Sequence, residues 1–159
     1  MRTVKLKSIE DSDKVGLYSI CFDEGSVSEF ENFMLKFMND KSVNRDYQRI
    51  IFALKKILSV GVLERFFRPE GKIKDRTCAL SIDSRQLRLY CLRLSDQILI
   101  LGNGGVKTTA TYQEDDELCG YVCDLQEFDR VLKRAQEKGK ISIEQTVITN
   151  IDTATFNLQ

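Results

Sequence analysis

Arg88 and Tyr90 stand two residues apart in the stretch Leu87-Arg88-Leu89-Tyr90-Cys91-Leu92-Arg93-Leu94. In an extended strand, residues i and i+2 point to the same face, so a guanidinium and a phenol would project side by side. Leu87, Leu89 and Cys91 take the other face and are expected to pack on helices. Beside this strand lies a basic loop, Arg65 to Arg76, carrying Arg65, Arg68, Lys72, Lys74 and Arg76. Lys107 follows the next apolar run. On an uncovered sheet face these cations and the phenol would form an anion site. A solvated sheet face with no ligand is the competing reading.

Other motifs carry less. Gly102-Asn103-Gly104-Gly105-Val106-Lys107-Thr108 has glycines before a lysine, as a phosphate-cradling loop does. Val106 stands where that motif needs glycine, and the β-branched residues that follow do not open a helix. Nucleotide binding is therefore not expected, and the glycines are read as bending the chain out of the sheet. Cys119 and Cys123, four apart on a predicted helix, share a face and with Cys78 or Cys91 would have the donor type for a soft metal. Buried thiols acting as small hydrophobes are the expected reading. Glu114-Asp115-Asp116-Glu117 is read as negative charge at a helix N-terminus, where the dipole favours it. No metal and no cofactor are expected.

Composition bounds the rest. The chain has 159 residues, 42% of them hydrophobic and 30% charged, which suits a globular domain and excludes disorder or a rod over most of its length. It has no histidine, so histidine catalysis and histidine metal ligation are impossible. Lys plus Arg and Asp plus Glu are each 24, but they are unevenly placed. Residues 1–44 carry −2, residues 45–107 carry +7 and residues 108–159 carry −5. The middle segment is thus able to meet a polyanion although the whole is neutral. Residues 1–15 hold seven charges and fit no signal-peptide core. No apolar run reaches a membrane span, and the five cysteines lack a disulfide rhythm, so a cytoplasmic chain with reduced thiols is expected.

Periodicity assigns the elements that must position these residues. Residues 1–15 read as a loosely held arm and 141–159 as a polar tail, with one domain between them at 16–140. Gly16–Phe22 alternates as a strand. Ser26 and Glu29 suggest a capping box before a helix with Phe30, Phe33, Met34, Phe37 and Met38 on one stripe. A second helix from Asn44 repeats an apolar face at Tyr47, Ile50, Ile51, Leu54, Ile57 and Leu58, ending near Gly61. The period then changes to two. Strands are expected at Thr77–Ile82, Leu87–Leu94 and Ile98–Leu101, with turns at Asp83-Ser84-Arg85 and Ser95-Asp96-Gln97. A third helix covers about Glu117–Lys138, with Leu118, Val122, Leu125, Phe128 or Asp129, and Leu132 inward. The fold class is α+β. It comprises an antiparallel or mixed sheet of four to five strands, two N-terminal helices packed on one face, and an extra C-terminal helix.

The order strand, helix, helix, three-strand meander resembles the RelE/HigB superfamily of toxins from toxin–antitoxin pairs. The likeness is carried by Arg88-Leu89-Tyr90, by Ile98-Leu99-Ile100-Leu101, and by Gly104-Gly105-Val106-Lys107-Thr108-Thr109, and spans roughly residues 16–112. The resemblance implies a cytoplasmic, metal-independent endoribonuclease that cuts mRNA on the ribosome, with the substrate 2′-hydroxyl as nucleophile. It further implies inhibition by a cognate antitoxin and no membrane partner. Carried over, Arg88 and Lys107 stabilise charge on the phosphorane and Tyr90 positions or exchanges a proton. Lys72, Lys74, Arg76 and Arg93 hold RNA. The neutral charge and the C-terminal helix leave a second reading open, a non-catalytic protein- or RNA-binding module of the same fold. A gyrase-directed toxin also stays open.

Overall fold

The computed structural model describes residues 2–23, 25–69, 76–80, 86–107 and 115–159. The elements run β1 (Arg2–Asp11), β2 (Gly16–Phe22), α1 (Glu29–Phe37), α2 (Asn44–Val60), β3 (Phe67–Pro69), β4 (Thr77–Leu80), β5 (Leu87–Arg93), β6 (Ile98–Val106), α3 (Asp116–Glu137), β7 (Ile143–Glu144), β8 (Val147–Ile148) and β9 (Phe156–Leu158). The class is α+β. Seven strands form one mixed sheet in the order β3-β4-β5-β6-β2-β1-β9, and β7 and β8 make a separate small hairpin. Four or five strands were expected from periodicity. The additional ones come from the two termini and from β3.

The N-terminal segment read as an arm is β1, paired with β2 on one side and β9 on the other. Val4 and Leu6 are buried under α3, while Lys7, on the opposite face, reaches Glu31 of α1 at 2.7 Å and the Ser26 carbonyl at 2.9 Å. The alternation was present, but charged residues filled its second face. The segment read as a polar tail supplies Phe156 and Leu158 to the same core. Both ends of the chain therefore belong to the sheet.

From β2 the chain passes through α1 and α2 to the far edge of the sheet, returns through the antiparallel strands β3, β4 and β5, and lays β6 parallel to β2, pairing Gly16–Ser19 with Ile98–Leu101. The remaining neighbours in the sheet are antiparallel. α1 begins at a capping box, formed by Ser28 and Glu31 instead of Ser26 and Glu29. Phe30, Phe33 and Phe37 are buried as the stripe predicts, and Met38 is exposed. On α2, Tyr47, Ile50, Leu54 and Ile57 are buried and the helix stops at Gly61, whose φ of 113° suits glycine alone. These side chains pack on Leu17, Leu87, Leu89, Cys91, Leu99 and Leu101 across one sheet face.

α3 covers the other face. Leu118, Val122, Leu125, Phe128 and Leu132 lie on Tyr18, Ile20, Leu92, Ile98 and Ile100. Among the described residues the sheet is flanked by helices on both faces, and α3 covers the face at Tyr90, whereas Arg88, nearer the start of β5, is half-buried. No helix among the described residues is long and apolar enough to cross a membrane.

The Gly102–Gly105 stretch does not leave the sheet. It continues β6, with Leu87, Arg88 and Leu89 paired to Val106, Gly105 and Gly104 across an irregularity in the register. A Cβ on Gly104 would sit 1.8 Å from the Arg88 carbonyl oxygen, so glycine is required by close backbone approach, not by a turn. The proposed turn at Asp83-Ser84-Arg85 lies outside the described residues.

Candidate functional site

Tyr90 is 1% exposed and belongs to the core beneath α3. It cannot touch a substrate, and its assignment as a proton-handling group is corrected: the two-residue spacing placed it on the right face, but that face is covered. Arg88 shares the face and is half-buried near the start of β5, opposite Gly105. Its Nη1 donates to the Leu87 carbonyl at 3.4 Å. Lys107 lies just past β6, half-buried, and its amide donates to the Gln86 carbonyl at 2.7 Å. By strand alternation Lys107 and Arg88 fall on the same side of the sheet, two residues apart in register. Asp46 of α2 fixes this end of β5 by accepting from the amides of Gln86 and Leu87, both at 3.0 Å.

Arg76 and Arg93 are committed elsewhere. Arg76 makes a forked contact to Asp129 of α3, its Nε donating to Oδ1 at 3.1 Å and Oδ2 at 3.3 Å while Nη2 also reaches Oδ1. Asp129 is buried, so this ion pair clamps the start of β4 to the helix layer. Arg93 donates to the Val62 carbonyl at 2.9 Å and bridges to Asp96, tying β5 to the segment after α2. Both guanidinium groups are thus engaged within the protein, where the resemblance had them holding RNA. Lys72 and Lys74 lie outside the described residues. Arg76→Ala is expected to lower the unfolding free energy by about 3 kcal/mol. That is the low end for breaking a buried pair, because Lys133 stays 3.7 Å from the stranded carboxylate. Chemical denaturation compared with Arg76→Ala/Asp129→Asn measures it: the double variant should recover part of the loss.

Lys36 and Tyr121, which spacing did not single out, gather around Gly104 with Glu117 of the acidic cluster at the start of α3. β2 stops pairing with β6 at Leu101, and Lys36 of α1 reaches β6 beyond that point, its Nζ donating to the Gly104 carbonyl at 3.1 Å. The same ammonium lies 3.1 Å from the Tyr121 hydroxyl of α3 and 3.7 Å from Glu117. The Tyr121 hydroxyl in turn donates to Glu117 Oε1 at 2.7 Å. Burial raises the Tyr121 phenol well above its ordinary value, and the hydrogen bond to Glu117 adds to the rise. The phenol therefore stays protonated at neutral pH and donates to Glu117, which presents a largely exposed carboxylate. A cation, a neutral phenol and a carboxylate thus lie around Gly104, and Arg88 is paired to the next residue, Gly105.

A second charged surface runs along the outward face of α2. Arg45, Arg49, Phe52 and Lys56 follow helical spacing, with Gln48 and Lys55 beside them, all exposed. Phe52 is 71% exposed amid these cations. The groove next to it is floored by Ile51, Ala53 and Phe66. The positive middle of the chain is therefore concentrated partly on a helix, as well as at Arg76 before β4 and Arg93 on β5.

Comparison with family models, with curated proteins and with solved structures finds no match for this chain.

Proposed function

We propose that this chain is a RelE/HigB-like toxin that acts on RNA at the Gly104 end of the sheet, under the control of an antitoxin protein. The observation that supports this reading is the parallel pair β2 and β6, with α1, α2 and the strands β3, β4 and β5 between them in the chain. It sets the strand–helix–helix–meander order of the resemblance into one sheet and groups Arg88, Lys107, Lys36, Tyr121 and Glu117 at one end of it. In this reading Arg88 and Lys107 bind the scissile phosphate and stabilise charge as the substrate 2′-hydroxyl attacks. Tyr121 replaces Tyr90 as the phenol that delivers a proton to the leaving oxygen. Glu117 accepts a proton, and Lys36 orients the phenol. No step draws on a metal or cofactor.

Induced expression should arrest growth, and the Arg88→Ala variant, expressed to the same level, should not. Wild-type protein that accumulates in folded form without slowing growth contradicts the toxin reading.

The α2 surface supports a non-specific contact to RNA phosphate. Binding to a single-stranded RNA should weaken as salt rises. Reversing Arg45, Arg49 and Lys56 together should reduce the log–log salt slope by about 2, since each lost phosphate contact removes about 0.7. A slope that does not move after the triple reversal places the RNA contact elsewhere.

A further inference from the structure

The seven-stranded sheet has two outer strands, β3 and β9. β3 holds Pro69, which has no N–H to give, and Arg68; proline and a charged side chain both blunt a sheet edge. β9 holds neither. Register sets what β9 shows on its open side. The Thr3 carbonyl accepts the Asp23 amide at 2.8 Å, so Thr3 turns its backbone polar groups toward β2. Asn157, opposite Thr3, is therefore in a non-hydrogen-bonded pair and turns its N–H and C=O away from β1. Gln159, two residues on, must face the same way, and Glu127 of α3 meets its amide there at 3.0 Å. Among the described residues no such partner serves the backbone of Asn157, whose side chain is exposed.

A groove of about 500 Å³ adjoins this edge, between the last turns of α3 and residues 153–157. Val131 and Ala135 give it an apolar wall, and Arg134, Lys138 and Lys140, all exposed, give it charge. No acid is among the residues that line it, although residues 108–159 as a whole carry −5. We propose that β9 and this groove dock an extended acidic segment of a partner protein, which joins the sheet as a further strand. Backbone bonds to Asn157 hold the segment. Its side chains on the α3 side meet Val131 and Ala135 near the sheet and the three cations at the rim, where carboxylates are favoured. A second copy of this chain is the poorer occupant, because pairing β9 with β9 would set three cations of one copy against three of the other. The edge is built by β1 and β9, outside residues 16–112, and the inference does not depend on the RNA reading.

The probe is an end-blocked, fluorescent peptide of about eight residues, an ordinary strand length, with threonine on one strand face and valine alternating with glutamate on the other. Titrated with the full chain, its anisotropy should saturate. A twin with lysine for glutamate should bind at least about tenfold more weakly, since it meets the cations with like charge. Asn157→Pro removes the outward N–H and leaves the bonds to β1 in place, so the melting temperature should hold while affinity falls about tenfold. Asn157→Ala keeps that N–H and should bind as wild type does. In the wild-type chain the peptide should also slow hydrogen exchange at the Asn157 amide, a readout that needs no variant. Any of five results overturns the proposal: no saturable binding, equal affinity for the two peptides, a folded Asn157→Pro chain that binds as tightly as Asn157→Ala, an Asn157 amide whose exchange the peptide leaves unchanged, or a dimer of this chain that Asn157→Pro dissolves.

Discussion

Phe33→Ala is expected to lower the unfolding free energy by about 3–5 kcal/mol, the range for truncating a fully buried aromatic. Phe33 is 0% exposed at the centre of the layer between α1, α2 and the sheet. Its ring lies 5.2 Å from that of Phe37 and 6.2 Å from those of Phe30 and Tyr47. Alanine would leave a cavity bounded by residues from both helices, so collapse at the site needs both to move. Leu35→Ala, two positions on, is the control. Leu35 is 67% exposed, and its loss should change stability by no more than about 0.5 kcal/mol. Denaturant melts of the two variants measure the difference; a Phe33→Ala loss below about 1 kcal/mol would mean that this layer is not packed as described.

The second large effect concerns chemistry. Arg88→Ala and Lys107→Ala should each lower RNA cleavage by about 10²–10³, the usual result of removing one preorganised donor to a developing charge. Both side chains are half-buried, so each variant's melting temperature must be read beside its rate. Tyr121→Phe should cost roughly 10² through loss of the transferable proton, at the low end for general acid catalysis. Tyr90→Phe should leave the rate unchanged, because Tyr90 sits in the core. A Tyr90→Phe variant that folds like wild type yet cleaves as slowly as Tyr121→Phe would reverse the assignment of the phenol. Single-turnover rates at equal folded fraction separate these cases.

What the sequence made legible divides along physical lines. α2 was readable because its apolar residues all serve one interface and its polar residues all face solvent, which leaves a clean 3.6 period. α3 was readable for the same reason. β1 was not, because Lys5 and Lys7 occupy the face turned toward α1, and a strand with lysines at every second place reads as polar chain. The glycines of β6 were misread because glycine marks both a turn and a close approach, and only the Arg88 carbonyl beside Gly104 decides between them. The site was half legible. Local spacing correctly put Arg88 and Tyr90 on one face, but what covers that face is α3, which arrives later in the chain. The contacts that decide availability are likewise distant, with Arg76 meeting Asp129 across 53 residues and Lys36 meeting Tyr121 across 85. No short motif encodes either pair.

The central claim is that the Gly104 end of the sheet cuts RNA. The direct measurement adds purified wild-type protein, free of any antitoxin, to ribosomes translating a defined mRNA, then maps the message ends and their chemistry. The account predicts discrete cuts that leave a 2′,3′-cyclic phosphate and a 5′-hydroxyl, as attack by the 2′-hydroxyl requires, and their loss in Arg88→Ala. Intact message on actively translating ribosomes, at protein levels that arrest growth, would contradict it.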